Sequence, residues 1–280
     1  MHRFLLHNSE VQDARVATAS AGQVGLLNGW GVFTTIRVSN GILFAWERHW
    51  ARMTRDAKKL RVPFPDSPEW MMERLQRLIQ ANNAVNSTLR IAVVRNRGGL
   101  FEGPGLVRDF DLFAFTADLT RWPSAAKLGV KAGARFSASE FAGVKVTSWA
   151  FNLNWYEEAH ERGLDEFILL NERGEIAECT SANVFAVFGG EAVTPPLSSG
   201  CLPGITREIL LEAIHVPGVT LRERVLRPED LNGADEVFIA SSTRDVMPVE
   251  SIEGLTIGRK TDTARALGQA FGVYRSQYRQ

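Results

Sequence analysis

The hydrophobic residues of this chain alternate between two spacings, one typical of β-strands and one typical of α-helices. This alternation restricts the possible folds more than any other feature of the sequence. Residues 32–38 and 42–45 follow a strand pattern around the turn Ser39-Asn40-Gly41, which predicts a β-hairpin because Asn-Gly tolerates positive φ. From Trp46 onward, apolar residues recur every three or four positions until Pro63, which predicts an amphipathic helix. The chain is therefore expected to combine strands and helices.

The same two spacings predict the elements that follow. Residues 67–82 are expected to form a second helix, with Pro68 in its first turn. Strands are expected at residues 89–94 and 110–116, on either side of a polar, Gly-rich segment at residues 96–106. Further strands are predicted at residues 128–136, 166–171, 175–178, 182–187 and 236–240, and further helices at residues 149–162, 206–214 and 263–274.

One segment interrupts these patterns. Residues 118–124 contain turn residues and no periodicity, which is typical of a linker. A length of 280 residues also leaves room for two domains of modest size. We therefore predict a small N-terminal α+β domain at residues 1–117, a linker at 118–124 and a larger C-terminal α/β domain at 125–280.

Charge and composition argue against several classes of partner. The 32 basic and 32 acidic side chains cancel, so nucleic acid and anionic membrane surfaces are not expected to bind. The longest apolar stretches, such as residues 167–170, are far shorter than the roughly 20 residues that span a bilayer. The N-terminus has no long apolar stretch after its charge, so no signal peptide is predicted and a cytoplasmic location is expected.

The two cysteines, Cys179 and Cys201, are too few for a disulfide framework. Neither lies in a CxxC or Cys/His spacing, so no metal site is predicted and both are expected to be reduced thiols.

Six lysines are the only candidates for chemistry that needs a side-chain amine. Lys145 is flanked by Val144 and Val146, between a turn and the apolar start of a helix, whereas the other five lie in polar contexts. Desolvation there would lower the pKa of the amine, as a Schiff-base lysine requires. The alternative is a surface lysine whose stem packs along the protein.

Glu178 lies on the second strand of a predicted hairpin. Alternation places Ile176 and Glu178 on one face, and the apolar neighbour suggests that the carboxylate is buried. Buried carboxylates are rare unless they are paired, so Glu178 either meets a cation or lies at a frayed edge.

Two turns and one arginine have the chemistry of an anion site. The segment Leu202-Pro-Gly-Ile-Thr-Arg207 leads into a helix whose first N–H groups favour an anion, although it also suits an ordinary N-cap. Residues 240–244 form a second hydroxyl-rich turn, and together the two turns could hold one phosphate. Arg52, next to the apolar stripe of the first helix, is either a surface arginine or a phosphate ligand.

An amine, a carboxylate, two anion-receptive turns and an arginine are the groups that pyridoxal 5′-phosphate requires of a protein. Between about residues 25 and 250 the chain resembles the class IV aminotransferases. This group includes branched-chain aminotransferases, D-amino acid aminotransferases and aminodeoxychorismate lyases. The segments that carry the resemblance are residues 28–37, 47–52, 143–145, 165–171, 178–183, 202–207 and 241–248.

The resemblance implies a two-domain, fold-type IV architecture of mixed α+β and α/β character, with the cofactor between the domains and a homodimer as the working unit. It implies that Lys145 forms the Schiff base with the cofactor and moves the substrate proton. It also implies that Glu178 pairs with the pyridine nitrogen and keeps it protonated. The phosphate ligands implied in the same way are Arg52, the backbone N–H groups of Ile205 and Thr206, and Ser242 or Thr243.

Departures from the family pattern bear on the substrate. Trp30 replaces a small acid usual in relatives, and Thr34 replaces a glutamate, so that Phe-Thr-Thr resembles the lyase branch. The arginine that D-amino acid enzymes and some lyases have in the Gly-rich segment is replaced around Leu100, although Arg97 could reach the same space. Arg90 matches an arginine found in branched-chain enzymes. Trp149 stands where many relatives have tyrosine. The expected substrate pocket comprises Trp30, Phe33, Thr35, Arg90, Arg97 and Trp149.

The leading hypothesis is transfer of an amino group between a small, branched-chain amino acid and 2-oxoglutarate. The first alternative is an aminodeoxychorismate lyase that forms 4-aminobenzoate and pyruvate. Further alternatives are a D-amino acid aminotransferase and a non-catalytic binder of the cofactor.

Overall fold

The alternating strand and helix patterns form two β-sheets with helices packed on them, which confirms the expected mixed fold. The structure is a computed structural model that describes residues 1–20, 22–100, 102–103 and 106–279. The chain divides into a first unit, residues 1–120 with 144–149 and 279–280, and a second unit, residues 121–143 with 150–278. The predicted domain boundaries at residues 117 and 125 stay a prediction.

The first unit contains an antiparallel sheet of six strands. Its strands are β1 (Phe4–His7), β2 (Glu10–Asp13), β3 (Gly31–Ser39), β4 (Ile42–Leu43), β5 (Ser87–Arg95) and β6 (Phe110–Ala117), and its helices are α1 (Val24–Asn28), α2 (Trp46–Leu60) and α3 (Pro68–Ala81). The strand order is β2-β1-β6-β5-β3-β4. One face of the sheet packs against α2 and α3, and this contact forms the apolar core of the unit.

Local sequence signals explain the ends of these elements. Asn40 and Gly41 adopt positive φ in the turn between β3 and β4, as the Asn-Gly signal predicts. Ser67 caps α3, because its Oγ accepts the Trp70 N–H at 3.0 Å, and Pro68 occupies the first helical position, where a missing N–H costs little.

The second unit contains a mixed sheet of eight strands in the order β12-β11-β10-β13-β14-β7-β8-β9. Its strands are β7 (Ala126–Lys131), β8 (Glu166–Leu170), β9 (Ile176–Cys179), β10 (Asn183–Phe188), β11 (Glu191–Thr194), β12 (Thr220–Glu223), β13 (Glu236–Ser241) and β14 (Asp245–Ile252). Its helices are α4 (Ala150–Glu161), α5 (Ile205–Ala213) and α6 (Asp262–Gln277), with 3-10 turns at Leu197–Ser199 and Pro228–Gly233.

Most predicted elements are present, but one strand prediction is wrong. The strand expected at residues 128–136 ends at Lys131, because Ala132 and Gly133 form a turn in which Gly133 has a φ of 63°. The four-residue strands β1, β2, β11 and β12 carried too little periodicity to be predicted, and the eight-residue strand β14 was missed as well. Within the Gly-rich segment 96–106, Phe101, Pro104 and Gly105 lie outside the described residues, and the others form no helix or strand.

The prediction that Ile176 and Glu178 share a face is also wrong. The register between β8 and β9 shifts by one residue, so that Ile176 pairs with Leu170 while Glu178 pairs with Leu169. The extra residue reverses the alternation, as a β-bulge does. Ile176 and Cys179 therefore lie in the core of the second unit, whereas Glu178 pairs with a residue of a separate small cluster around Phe167.

Within the described parts of the chain, no helix is long and apolar enough to cross a membrane, and no group of three potential metal-ligating side chains is found. Cys179 and Cys201 are both buried and free. Burial raises the pKa of the Cys201 thiol to about 12, so this cysteine is protonated at neutral pH.

Candidate active site

Lys145 lies on a short segment that runs beside the beginning of β3. Val146 forms an antiparallel bridge with Val32, and the Lys145 carbonyl accepts the Phe33 N–H at 3.1 Å. The Lys145 N–H in turn donates to Asp56 Oδ2 on α2 at 3.1 Å. These contacts hold the backbone of Lys145 on both sides, so the start of its side chain has a defined direction.

The side chain of Lys145 meets the ring of Phe33. Its Nζ lies 4.5 Å from the ring centroid, and the Cζ of Arg90 lies 4.0 Å from the same centroid. Trp149 packs edge-on against Phe33 at 5.9 Å, and Thr35 pairs with Arg90 in the register of β3 and β5. An aromatic face attracts cations through its quadrupole, so one ring holds an amine and a guanidinium near each other.

The next residue of β3, Thr34, points to the opposite face, where it meets α2. Thr34, His49 and Arg52 are all buried, with exposed fractions of 0%, 1% and 7%. The Thr34 hydroxyl accepts a hydrogen bond from Arg52 Nη2 at 2.9 Å and lies 2.6 Å from His49 Nδ1. Burial, and then the positive charges of Arg52 and Lys145, lower the pKa of His49 well below its usual value, so His49 is neutral.

In the second unit, Glu178 has a cationic partner, which answers the question that the sequence left open. Its Oε1 accepts from Arg135 Nε at 2.9 Å, and its Oε2 accepts the Leu202 N–H at 3.0 Å. The Arg135 guanidinium lies over Trp155 at 5.6 Å. The carboxylate is therefore held in place, and within the described residues these bonds occupy one acceptor position on each of its oxygens, where an ionised oxygen can accept two.

Helix α5 begins directly after the turn around Gly204, with the buried residues Ile205 and Thr206. No side chain caps this end of α5 in the described structure. A Cβ on Gly204 would lie only 2.0 Å from Asn183 Oδ1, so a larger residue would displace the Asn183 side chain, whose Nδ2 donates to the Leu202 carbonyl. The N–H groups of the first turn of a helix have no acceptor within the helix, and they attract anions.

The turn after β13 carries Ser242 and Thr243, and a buried network holds it. Trp122 Nε1 donates to the Thr243 carbonyl at 3.0 Å, and the Arg244 guanidinium stacks on Trp122 at 3.8 Å. Arg244 also pairs with Glu166 at 2.7 Å. Sequence reasoning missed this pair, although a glutamate that opens the otherwise apolar strand Glu-Phe-Ile-Leu-Leu is a signal for one.

Two residues of the expected substrate pocket make their contacts elsewhere. Trp30 Nε1 donates to the Leu60 carbonyl at the end of α2 at 2.8 Å, and Arg95 lies over its ring at 4.5 Å. Arg97 lies near Glu102 and Asp109, at 3.5 and 3.8 Å. The described contacts therefore gather Phe33, Arg90 and Trp149 around Lys145, while roles for Trp30 and Arg97 stay predictions.

Comparison with known proteins gives a consistent result. The family model described as amino-transferase class IV matches residues 31–252. A putative branched-chain-amino-acid aminotransferase of Methanocaldococcus jannaschii is 29% identical over 259 residues, which cover 90% of this chain and 89% of that protein. A D-alanine aminotransferase of Bacillus licheniformis is 28% identical over 258 residues, covering 91% and 90%. The solved structure of the Escherichia coli branched-chain amino acid aminotransferase superposes with a TM-score of 0.88 at 26% identity, covering 100% of this chain and 97% of that one.

Proposed function

The chain belongs to the class IV aminotransferase family, and from this we propose that it transfers an amino group between a small, branched-chain L-amino acid and 2-oxoglutarate. Enzymes of the family depend on pyridoxal 5′-phosphate, whose ring, when bound, withdraws electrons from the Cα of an amino acid. The residues of this chain must then hold the cofactor, orient the substrate and move protons.

The chemistry of the available donors and acceptors fits this cofactor. We assign the covalent attachment to Lys145, and the contact with the pyridine nitrogen to Glu178, whose carboxylate Arg135 and Leu202 already orient. Helix α5 begins directly after Gly204 without a side-chain cap in the described structure, so its first N–H groups suit phosphate donors. The phosphate ligands in this assignment are Arg52, the N–H groups of Ile205 and Thr206, and Ser242 or Thr243.

One observation carries the proposal: the amine of Lys145 and the guanidinium of Arg90 lie on the same ring of Phe33. An amino acid bound here would place a carboxylate against Arg90, because guanidinium groups bind carboxylates through two parallel hydrogen bonds. Phe33 and Trp149 would contact the branched side chain. Lys145 Nζ would take the proton from the substrate Cα and deliver it to C4′ of the cofactor, and the second half of the reaction would run the same transfer in reverse with the keto acid.

A second candidate is elimination from aminodeoxychorismate. The segment Phe33-Thr34-Thr35, which resembles the lyase branch, favours it. Elimination would release pyruvate and would need no keto-acid acceptor, so it is separable from transamination by its products.

The test is a panel of L-leucine, L-valine, L-isoleucine, D-alanine and aminodeoxychorismate, each incubated with the purified enzyme with and without 2-oxoglutarate. We expect L-glutamate only in the reactions that contain a branched-chain L-amino acid together with 2-oxoglutarate. Transfer from D-alanine would assign the enzyme to the D-amino acid branch. Pyruvate formed from aminodeoxychorismate without an acceptor would replace the proposal with the lyase.

The matched variants are Lys145→Ala and Lys58→Ala. Lys58 is exposed on α2, so its loss should leave glutamate formation unchanged. Loss of Lys145 should reduce the rate by at least about 10⁴-fold, because both the covalent attachment and the proton transfer are removed. A Lys145→Ala enzyme that retains turnover would contradict the assignment. We also propose that the enzyme works as a homodimer in the cytoplasm, which sedimentation and cell fractionation would test.

A further inference from the structure

Thr34, His49 and Arg52 form a buried polar group. A phosphate contact needs only the guanidinium of Arg52, so the burial of Thr34 and His49 beside it indicates a further role for these two residues. Arg52 lies three residues after His49 on α2, a spacing that places both on one side of the helix. Thr34 faces them from β3, and its hydroxyl contacts both side chains. Two polar residues are thus buried against the arginine in the core of the first unit.

The directions of these hydrogen bonds follow from the groups themselves. A guanidinium can only donate, so Thr34 Oγ1 is the acceptor for Arg52 Nη2. The hydroxyl has one hydrogen, and His49 Nδ1 lies 2.6 Å away. When Nδ1 accepts this hydrogen, His49 is neutral with its proton on Nε2, and Arg52, Thr34 and His49 are connected in one chain.

We propose that Thr34 and His49 are positioning residues, which hold the guanidinium of Arg52 in the orientation that receives the phosphate of the cofactor. Thr34 and the neutral His49 carry no charge, so their own contacts orient the guanidinium without adding a counter-charge. An arginine ordered in advance loses less conformational freedom when the anion arrives, and its affinity for the anion is higher. The inference rests on the proposed role of Arg52 as a phosphate ligand.

The test compares the binding of pyridoxal 5′-phosphate with that of pyridoxal, which lacks the phosphate. The full-length protein, stripped of cofactor by dialysis, is titrated with each compound and the dissociation constants are read from tryptophan fluorescence. The ratio of the two constants measures the contribution of the phosphate and is independent of turnover.

Thr34→Val keeps the shape of the side chain and removes the hydroxyl. We expect it to weaken binding of pyridoxal 5′-phosphate by about 10-fold or more, because a hydrogen bond to a charged group is lost, and to leave pyridoxal binding unchanged. Thr34→Ser should restore the affinity. Ser87→Ala is the matched control, because Ser87 is an equally buried hydroxyl of the same sheet that bonds to the Ala84 carbonyl.

His49 supplies a second, independent variant. His49→Leu should lower the affinity for pyridoxal 5′-phosphate, whereas His49→Asn, whose amide oxygen can replace Nδ1 as acceptor, should retain more of it. The double variant Thr34→Val/His49→Leu should bind pyridoxal 5′-phosphate no more weakly than the weaker of the two single variants, because both residues act through Arg52.

The outcomes separate this inference from the proposed function. If Arg52→Met leaves the ratio of the two dissociation constants unchanged, Arg52 is not the phosphate ligand, and both the assignment and the inference fail. If Arg52→Met lowers the phosphate contribution but Thr34→Val does not, only the positioning role is overturned. Equal weakening of both ligands by Thr34→Val would also overturn it, because a general loss of packing acts on both.

Discussion

Replacement of Arg244 by methionine would remove the cation from a buried ion pair of the second unit. Glu166 has an exposed fraction of 0% and Arg244 one of 9%. Arg244 Nη2 lies 2.7 Å from Glu166 Oε1, and Nη1 donates to Ser181 Oγ at 2.9 Å. Methionine keeps an apolar stem against Trp122, but of the hydrogen bonds to this carboxylate in the described part of the chain it leaves those from the N–H and hydroxyl of Ser181.

The size of the effect follows from these contacts. A hydrogen bond between charged groups contributes about 1.5–3 kcal/mol, and the stacking of Arg244 on Trp122 at 3.8 Å adds roughly 1 kcal/mol. Packing by the methionine side chain offsets part of the loss. We therefore expect the free energy of unfolding to fall by about 2–4 kcal/mol, which overlaps the lower part of the range for buried pairs that lose one partner.

Urea unfolding at pH 7, followed by far-ultraviolet circular dichroism, measures this change. Far-ultraviolet detection is preferred because Trp122 itself contacts Arg244 and its fluorescence would change for local reasons. Glu166→Gln and the double variant Glu166→Gln/Arg244→Met complete a double-mutant cycle. We expect this cycle to give an interaction energy of about 2 kcal/mol between Glu166 and Arg244. A loss below about 1 kcal/mol in Arg244→Met, or a cycle without coupling, would refute the reasoning.

Two further predictions concern stability. The pKa of His49 lies below its unfolded value of roughly 6.5 because the folded state buries the neutral ring, so its contribution to stability is present above that pH and is lost as the pH falls. Between pH 6 and pH 5 the free energy of unfolding of the native protein should fall further than that of His49→Asn, by at most about 1.2 kcal/mol, and parallel profiles in urea unfolding would contradict this. Ser67→Ala should lower the free energy of unfolding by about 1 kcal/mol through loss of the cap on the Trp70 N–H, while Ser67→Asp should not; equal stability of all three proteins would argue against the cap.

The sequence predicted the ends of helices and strands to within a few residues where the local signal is strong. Helix α2 begins at Trp46, where the period changes, and α3 begins after its serine cap. The prediction failed where a tertiary feature overrode the local pattern. Strand β7 ends early at a turn, and the bulge in β9 moves Glu178 away from the face of Ile176. A bulge depends on the pairing with the neighbouring strand, which periodicity within one strand does not report.

The candidate site also has features that the sequence indicated and features that it did not. The sequence indicated which chemical groups exist, namely one lysine in an apolar context, one glutamate in a strand, two turns and an arginine near an apolar stripe. It did not indicate that Arg90 and Lys145 contact the same ring, or that Trp30 turns to the end of α2. These contacts join residues far apart in the chain.

By itself, then, the sequence determined the mixed fold, the family and the kinds of reactive group, because period, caps and motifs are properties of neighbouring residues. Only the tertiary structure decided the partners: Arg135 for Glu178, Thr34 and His49 for Arg52, and Glu166 for Arg244. The physical reason is that hydrogen bonds and ion pairs depend on distance and burial, and both are set by how strands and helices pack rather than by their order in the chain.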